Sequence, residues 1–155
     1  MERVRDYPRP PRLEASQDQI RVEALGEILV ETQRSLRVLE TFHPPTYCLP
    51  PEAMNQGLLI PAPGRPSFCE WKGVASYYDV VAGERRLNRA VWTYNHPSER
   101  FRELAGWFAL YPGQMDGCWV NGERVIPQQG GFYGGWITSQ VEGPFKGDPS
   151  HPELI

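Results

Sequence analysis

Apolar and polar residues alternate along much of this chain, and prolines and glycines cut the alternation off after a few residues. A period of two places successive side chains on opposite faces of an extended backbone, whereas a helix needs apolar residues three and four apart. With 16 prolines and 15 glycines in 155 residues, the chain has room for short strands joined by turns and little room for long helices.

Ile20, Val22 and Ala24 alternate with Gln19, Arg21 and Glu23, and after Leu25-Gly26 a second alternation runs from Glu27 to Glu31, which reads as a hairpin. Leu36 to Thr41 alternates again and must stop near His43, because Pro44 and Pro45 cannot continue a ladder. Loops and brief strands are expected from Pro44 to Pro66. Lys72 to Val81 and Arg85 to Trp92, joined at Gly83, read as a central β pair. Asn121-Gly122 is the strongest turn signal, since both residues tolerate the positive φ of a type I′ hairpin turn. Gly130 to Trp136 is a last strand or an aromatic loop. One α-helix is expected near 97–109, with Pro97 suited to its first position and Phe101, Leu104, Ala105 and Phe108 at helical spacing.

These readings give a mainly β single domain in three parts. Residues 1–18, with Pro8, Pro10 and Pro11, form an extended or mobile arm, 19–138 the β domain, and 139–155 a tail rich in proline and glycine.

Charge and composition narrow the function classes. A net charge of -3 without any run of Lys or Arg offers no footprint for a phosphate backbone, so nucleic acid is not expected as a partner. No apolar stretch approaches the roughly 18 residues that span a bilayer, and the charged start lacks a signal peptide's apolar core. Cys48, Cys69 and Cys118 are an odd, scattered set, which suits a reduced cytoplasmic protein. No metal site is expected, because the cysteines lack ligand spacing and His43, His96 and His151 each precede a proline. G-x-x-x-x-G-K-[ST], G-x-S-x-G and H-E-x-x-H are all missing, and no cofactor is indicated.

Strand parity supplies the candidate site. Glu40 shares a face with Leu36 and Val38, and a carboxylate pointing inward needs a cation or several donors. Lys72 can meet that need and also support a thiolate on Cys69, three residues earlier. His43 can exchange a proton near neutral pH. Tyr47, Tyr77, Trp92, Tyr94 and Trp136 can line an aromatic cavity with polar tips. Each has a structural alternative: an exposed ion pair, a strand-ending histidine, a small buried thiol or ordinary core aromatics.

The segment Arg34 to Tyr47, containing Glu40-Thr41-Phe42-His43-Pro44-Pro45, resembles the leading motif of the domain of unknown function 427 family, in which a glycine more usually stands at the place of Phe42. Cys69-Glu70-Trp71-Lys72-Gly73-Val74-Ala75-Ser76-Tyr77-Tyr78 and Ala90-Val91-Trp92-Thr93-Tyr94 resemble later blocks, and Gly134 to Gly147 is similar to longer members. The resemblance implies a compact β domain, expected here as an antiparallel barrel or a tent-like sheet, and a common site of Glu40, His43, Tyr47, Cys69, Lys72, Tyr77 and Trp92. The family sometimes carries a nucleotidyltransferase label, but that chemistry needs a metal-binding acidic pair and no D-x-D stands here. The leading expectation is a monomeric small-molecule-binding domain in which Lys72 and His43 select an anionic group. The alternatives are an enzyme with Cys69 as nucleophile and Lys72, His43 or Glu40 in support, and a protein-interaction module.

Overall fold

The computed structural model describes residues 1–69 and 71–154 and is mainly β. Strands Ile20–Ala24 and Glu27–Thr32 form the expected hairpin, with Leu25 and Gly26 at φ 52 and 78 in the turn. Gly117–Val120 pairs with the free side of Ile20–Ala24, and Asn121-Gly122, at φ 50 and 82, returns the chain into Glu123–Arg124. This second turn is tied down from outside: the Asn121 Oδ1 accepts the Gln19 N–H at 2.8 Å. Ile20, Val22, Ala24, Cys118 and Val120 point into the main core, while Arg21 joins Glu23 and Glu31 on the wet face.

A second antiparallel sheet runs in the order Phe108–Leu110, Arg85–Thr93, Gly73–Ala82, Leu59–Pro61, and Ser67–Cys69 pairs with the start of Gly73–Ala82. A third joins Arg12–Ser16, Ser35–Leu39 and Thr46–Cys48. The sheets do not close into a barrel. Trp136, Tyr47, Leu49 and Leu110 belong to the main core, and a second cluster of Leu36, Val38, Cys48, Phe101, Leu104 and Ala109 lies beside it. No helix among the described residues is long and apolar enough to cross a membrane.

The helix expected near 97–109 is shorter and tighter than its sequence spacing suggested. Glu99–Leu104 is a 3₁₀ segment interrupted at Phe101, and Phe108 lies on a strand opposite Thr93. Phe101 and Leu104 do face the core, but their spacing of three fits a 3₁₀ turn as well as an α-helix. Gly106, at φ 77, turns the chain away before a further helical turn forms.

The strand Ser35–Leu39 is buried along its whole length, where an alternating wet face was expected. Its other face is covered by the chain start. Glu2–Arg3 pairs in parallel with Val141–Glu142, Val4 and Tyr7 pack on Leu39, and Arg12–Ser16 pairs directly with Ser35–Leu39. Arg37 consequently sits beneath this layer, where it donates to the Glu2 carboxylate at 3.2 and 3.0 Å and to Glu14. Burial disfavours the Arg37 charge, and the two carboxylates more than restore it, raising its pKa.

A register shift between Leu87 and Val91 leaves Arg89 at φ 49. The buried Asp79 carboxylate holds this bulge, accepting the Arg89 N–H at 2.8 Å and the half-exposed Arg86 guanidinium at 2.6 Å. Asp79→Ala should therefore cost about 2 kcal/mol in chemical denaturation, because the bulge loses its acceptor. Arg86→Ala should cost more than the roughly 1 kcal/mol of an exposed pair, because it leaves the buried Asp79 carboxylate without its cation.

Candidate functional site

Between the third sheet, the second sheet and the segment 128–146 lies a cavity of about 360 Å³. Val38, Cys48 and Ala109 give it an apolar floor, and Thr46, directly opposite Val38, a hydroxyl at its edge. Its chemistry comes from the turns and loops around that floor.

The strand Ser35–Leu39 ends one residue before Glu40, and the chain reverses through Glu40-Thr41-Phe42-His43, with the His43 N–H donating to the Glu40 carbonyl at 2.9 Å. Phe42 stands at φ 65, the third position of a turn that requires a left-handed residue there. A glycine would meet that requirement without strain. Phe42 is also tied on both sides: its N–H donates to the Val4 carbonyl at 3.0 Å, and its carbonyl accepts the Lys146 N–H at 2.7 Å. The turn brings Glu40 and His43 to one cavity wall.

His43 is fixed by a residue that sequence reading did not single out. The Gln128 Oε1 accepts the Gly135 N–H at 3.1 Å, so its amide nitrogen must be the donor, giving one hydrogen to the Lys146 carbonyl at 2.8 Å and the other to His43 Nδ1 at 3.2 Å. An accepting Nδ1 belongs to a neutral imidazole whose remaining proton is on Nε2. Burial lowers the His43 pKa, Glu40 opposes that shift, and Lys146, Arg9 and Lys72 reinforce it.

Lys72 enters from the turn before Gly73–Ala82. The Ser98 N–H donates to the Lys72 carbonyl at 3.1 Å and the Ser98 hydroxyl to the Trp71 carbonyl at 2.6 Å, so the backbone on both sides of the lysine is anchored. Its ammonium lies 5.9 Å from the ring centres of Tyr94 and Phe101. Trp92 forms part of the aromatic wall, backed by Tyr111 at 4.6 Å. Gly134 packs so closely on Trp92 that an added Cβ would come within 2.5 Å of the ring.

Of the residues expected at a common site, Glu40, His43, Cys69, Lys72, Trp92 and Tyr94 line this cavity, and Tyr47 and Tyr77 do not. Tyr47 is buried against Trp136 at 4.8 Å, and burial pushes its hydroxyl up to about 12. Tyr77 faces another depression, with its hydroxyl 2.7 Å from Ser67 Oγ and the Arg89 guanidinium 4.0 Å above its ring. The expected ion pair of Glu40 and Lys72 is not formed: the Glu40 carboxylate has Arg9 at 3.9 Å, and Lys72 sits over aromatic rings. Glu40 lies past the strand end, so strand parity no longer sets its direction. Cys69 is partly exposed at the wall, whereas Cys48 is buried and its thiol pushed up to about 12 by burial.

Gln128, Phe132, Tyr133 and Lys146 complete the wall and were not singled out as site residues from sequence. The usable signal was the pair of double glycines around Phe132-Tyr133, which permits close approach. Among the described residues no group of three His, Cys, Asp or Glu side chains is placed to hold a metal ion.

A family model described as "Domain of unknown function (DUF427)" matches residues 12–121, a span that includes the turn, Cys69, Lys72 and the Trp92 strand but not the 128–146 wall. No curated protein matches the chain.

Two measurements test this geometry. At residue 42, glycine should be more stable than alanine by about 1 kcal/mol in matched unfolding experiments, since only alanine keeps the left-handed strain. The His43 ring should titrate below its ordinary 6.5 by NMR. The unfolded chain then takes up the proton first, so the stabilisation from neutral His43 is full above about pH 6.5 and is lost as pH falls toward the folded value. A midpoint at or above 6.5 would mean that burial and the neighbouring cations do not outweigh Glu40 at this ring.

Proposed function

We propose that this chain, which belongs to the DUF427 family, is a small-molecule-binding domain whose cavity receives an organic anion. The observation that carries this reading is the lining itself: Lys72, Lys146 and His43 border an aromatic-walled space around one carboxylate, Glu40. Cations and a fixed neutral donor attract an anion, and the surrounding rings lower the water access that would screen them. The volume lies at the lower end of the range of about 300–1,000 Å³ usual for ligand cavities. Unpaired cysteines, two of them buried, fit a reducing compartment such as the cytoplasm.

Catalysis by Cys69 is a second reading, favoured by one observation, its partly exposed place on the same wall as Lys72. Stoichiometric loss of Cys69 alkylation when the cavity is filled would be shared by both readings, whereas turnover of the bound molecule would separate them.

The test is a panel of small mono- and dicarboxylates and phosphate monoesters, read by thermal shift and by quenching of tryptophan fluorescence. At least one should bind, and Lys72→Met and Lys146→Met should each weaken it about tenfold, the scale of one lost charge-assisted hydrogen bond. If no panel member shifts the protein, or if both substitutions leave affinity unchanged, the cavity is not an anion site.

A further inference from the structure

A receptor for a plain anion gains nothing from a carboxylate in its wall, and Glu40 stands in this one. Its nearest cation is Arg9 at 3.9 Å, beyond hydrogen-bonding length, and 21% of its side chain is exposed. Among the described residues no side chain donates a hydrogen bond to it. Lys72 does not pair with it: that ammonium is held over Tyr94 and Phe101. Glu40, His43, Lys72 and Lys146 all line the cavity, so both signs of charge border one small space. A carboxylate facing the ligand repels a second negative charge and attracts a positive one beside it. A guest that satisfies the whole lining carries both signs a few bonds apart.

We propose that the ligand is a zwitterion, a free α-amino acid with an aromatic side chain, held with its carboxylate toward Lys72, Lys146 and His43 Nε2–H and its ammonium toward Glu40. This deepens the anion-site reading and rests on it. The side chain has Trp71, Trp92 and Tyr133 to lie against, and the volume admits a single amino acid more readily than a peptide or a dinucleotide. His43 contributes as a neutral donor, because the Gln128 amide occupies its Nδ1, so carboxylate recognition does not depend on imidazole protonation.

The experiment compares L-phenylalanine, 3-phenylpropionate and phenethylamine by calorimetric titration of the full chain. These molecules share the ring and differ only in the ammonium or the carboxylate. Phenylalanine should bind about tenfold more tightly than 3-phenylpropionate, which lacks the contact to Glu40, and at least about tenfold more tightly than phenethylamine, which lacks the contacts of the carboxylate. Glu40→Gln should reduce phenylalanine to the level of 3-phenylpropionate without weakening the latter, and Lys72→Met should weaken both acids. Should Glu40→Gln fail to fold, the wild-type ranking decides alone. Equal or tighter binding of 3-phenylpropionate overturns the zwitterion and leaves the anion site standing. Binding of neither acid overturns it as well, and the broader anion panel then decides the anion site separately.

Discussion

The amide of Gln128 holds the parts of this molecule that make its cavity. It is buried, and each of its polar atoms is spent on a different piece of chain: the Gly135 N–H, the Lys146 carbonyl and the ring of His43. A buried amide with both its hydrogens and its oxygen engaged fixes its neighbours in direction as well as position. The glycines around it follow from that packing. A Cβ on Gly135 would fall 2.5 Å from the Gln128 Oε1, and one on Gly147 would collide with the Gln129 carbonyl. Close backbone approach here is what lets the segment 128–146 close the cavity instead of standing off from it.

The turn at Phe42 is the complementary constraint on the other side. It receives the chain start through Val4 and the C-terminal segment through Lys146, so both ends of the chain converge on one left-handed residue. Beneath it, Arg37 draws Glu2 and Glu14 onto the strand that leads into the turn. Burial opposes ionisation of Glu2, yet hydrogen bonds from Arg37 and Tyr7 leave its pKa below the ordinary value, so the cluster stays charged. The guanidinium depends on the carboxylates more than they depend on it, since Arg37 is buried under this layer whereas Glu2 and Glu14 still reach water.

Features of this fold that depend on neighbours in sequence were legible from sequence, and those that depend on distant partners were not. Leu25-Gly26 and Asn121-Gly122 carry their turn geometry in the dipeptide itself, and the long pair Gly73–Ala82 with Arg85–Thr93 shows in its β-branched and aromatic content. The helix near 97–109 was overread because a spacing of three serves two kinds of helix and the interruption at Gly106 is a matter of backbone angle. For the site, the motif residues Glu40, His43, Cys69, Lys72, Trp92 and Tyr94 lie around one cavity, but the direction of Glu40 could not be read once the strand had ended at Leu39. Gln128 was invisible for a simpler reason. Its three partners lie 7, 18 and 85 residues away, and nothing in a local pattern marks a glutamine that will be buried among them.

The lining of this cavity differs from that of a packing gap. An apolar void would collapse onto its floor of Val38, Cys48 and Ala109 at little cost to polar groups. Here the surrounding donors are already committed to positions: Lys72 by the Ser98 bonds on its backbone, His43 by Gln128, and Trp92 by Tyr111 behind and Gly134 against its ring. The backbone that carries Lys72 and the ring of His43 are thus set by the fold itself, so part of the ordering that the proposed binding would require is already met.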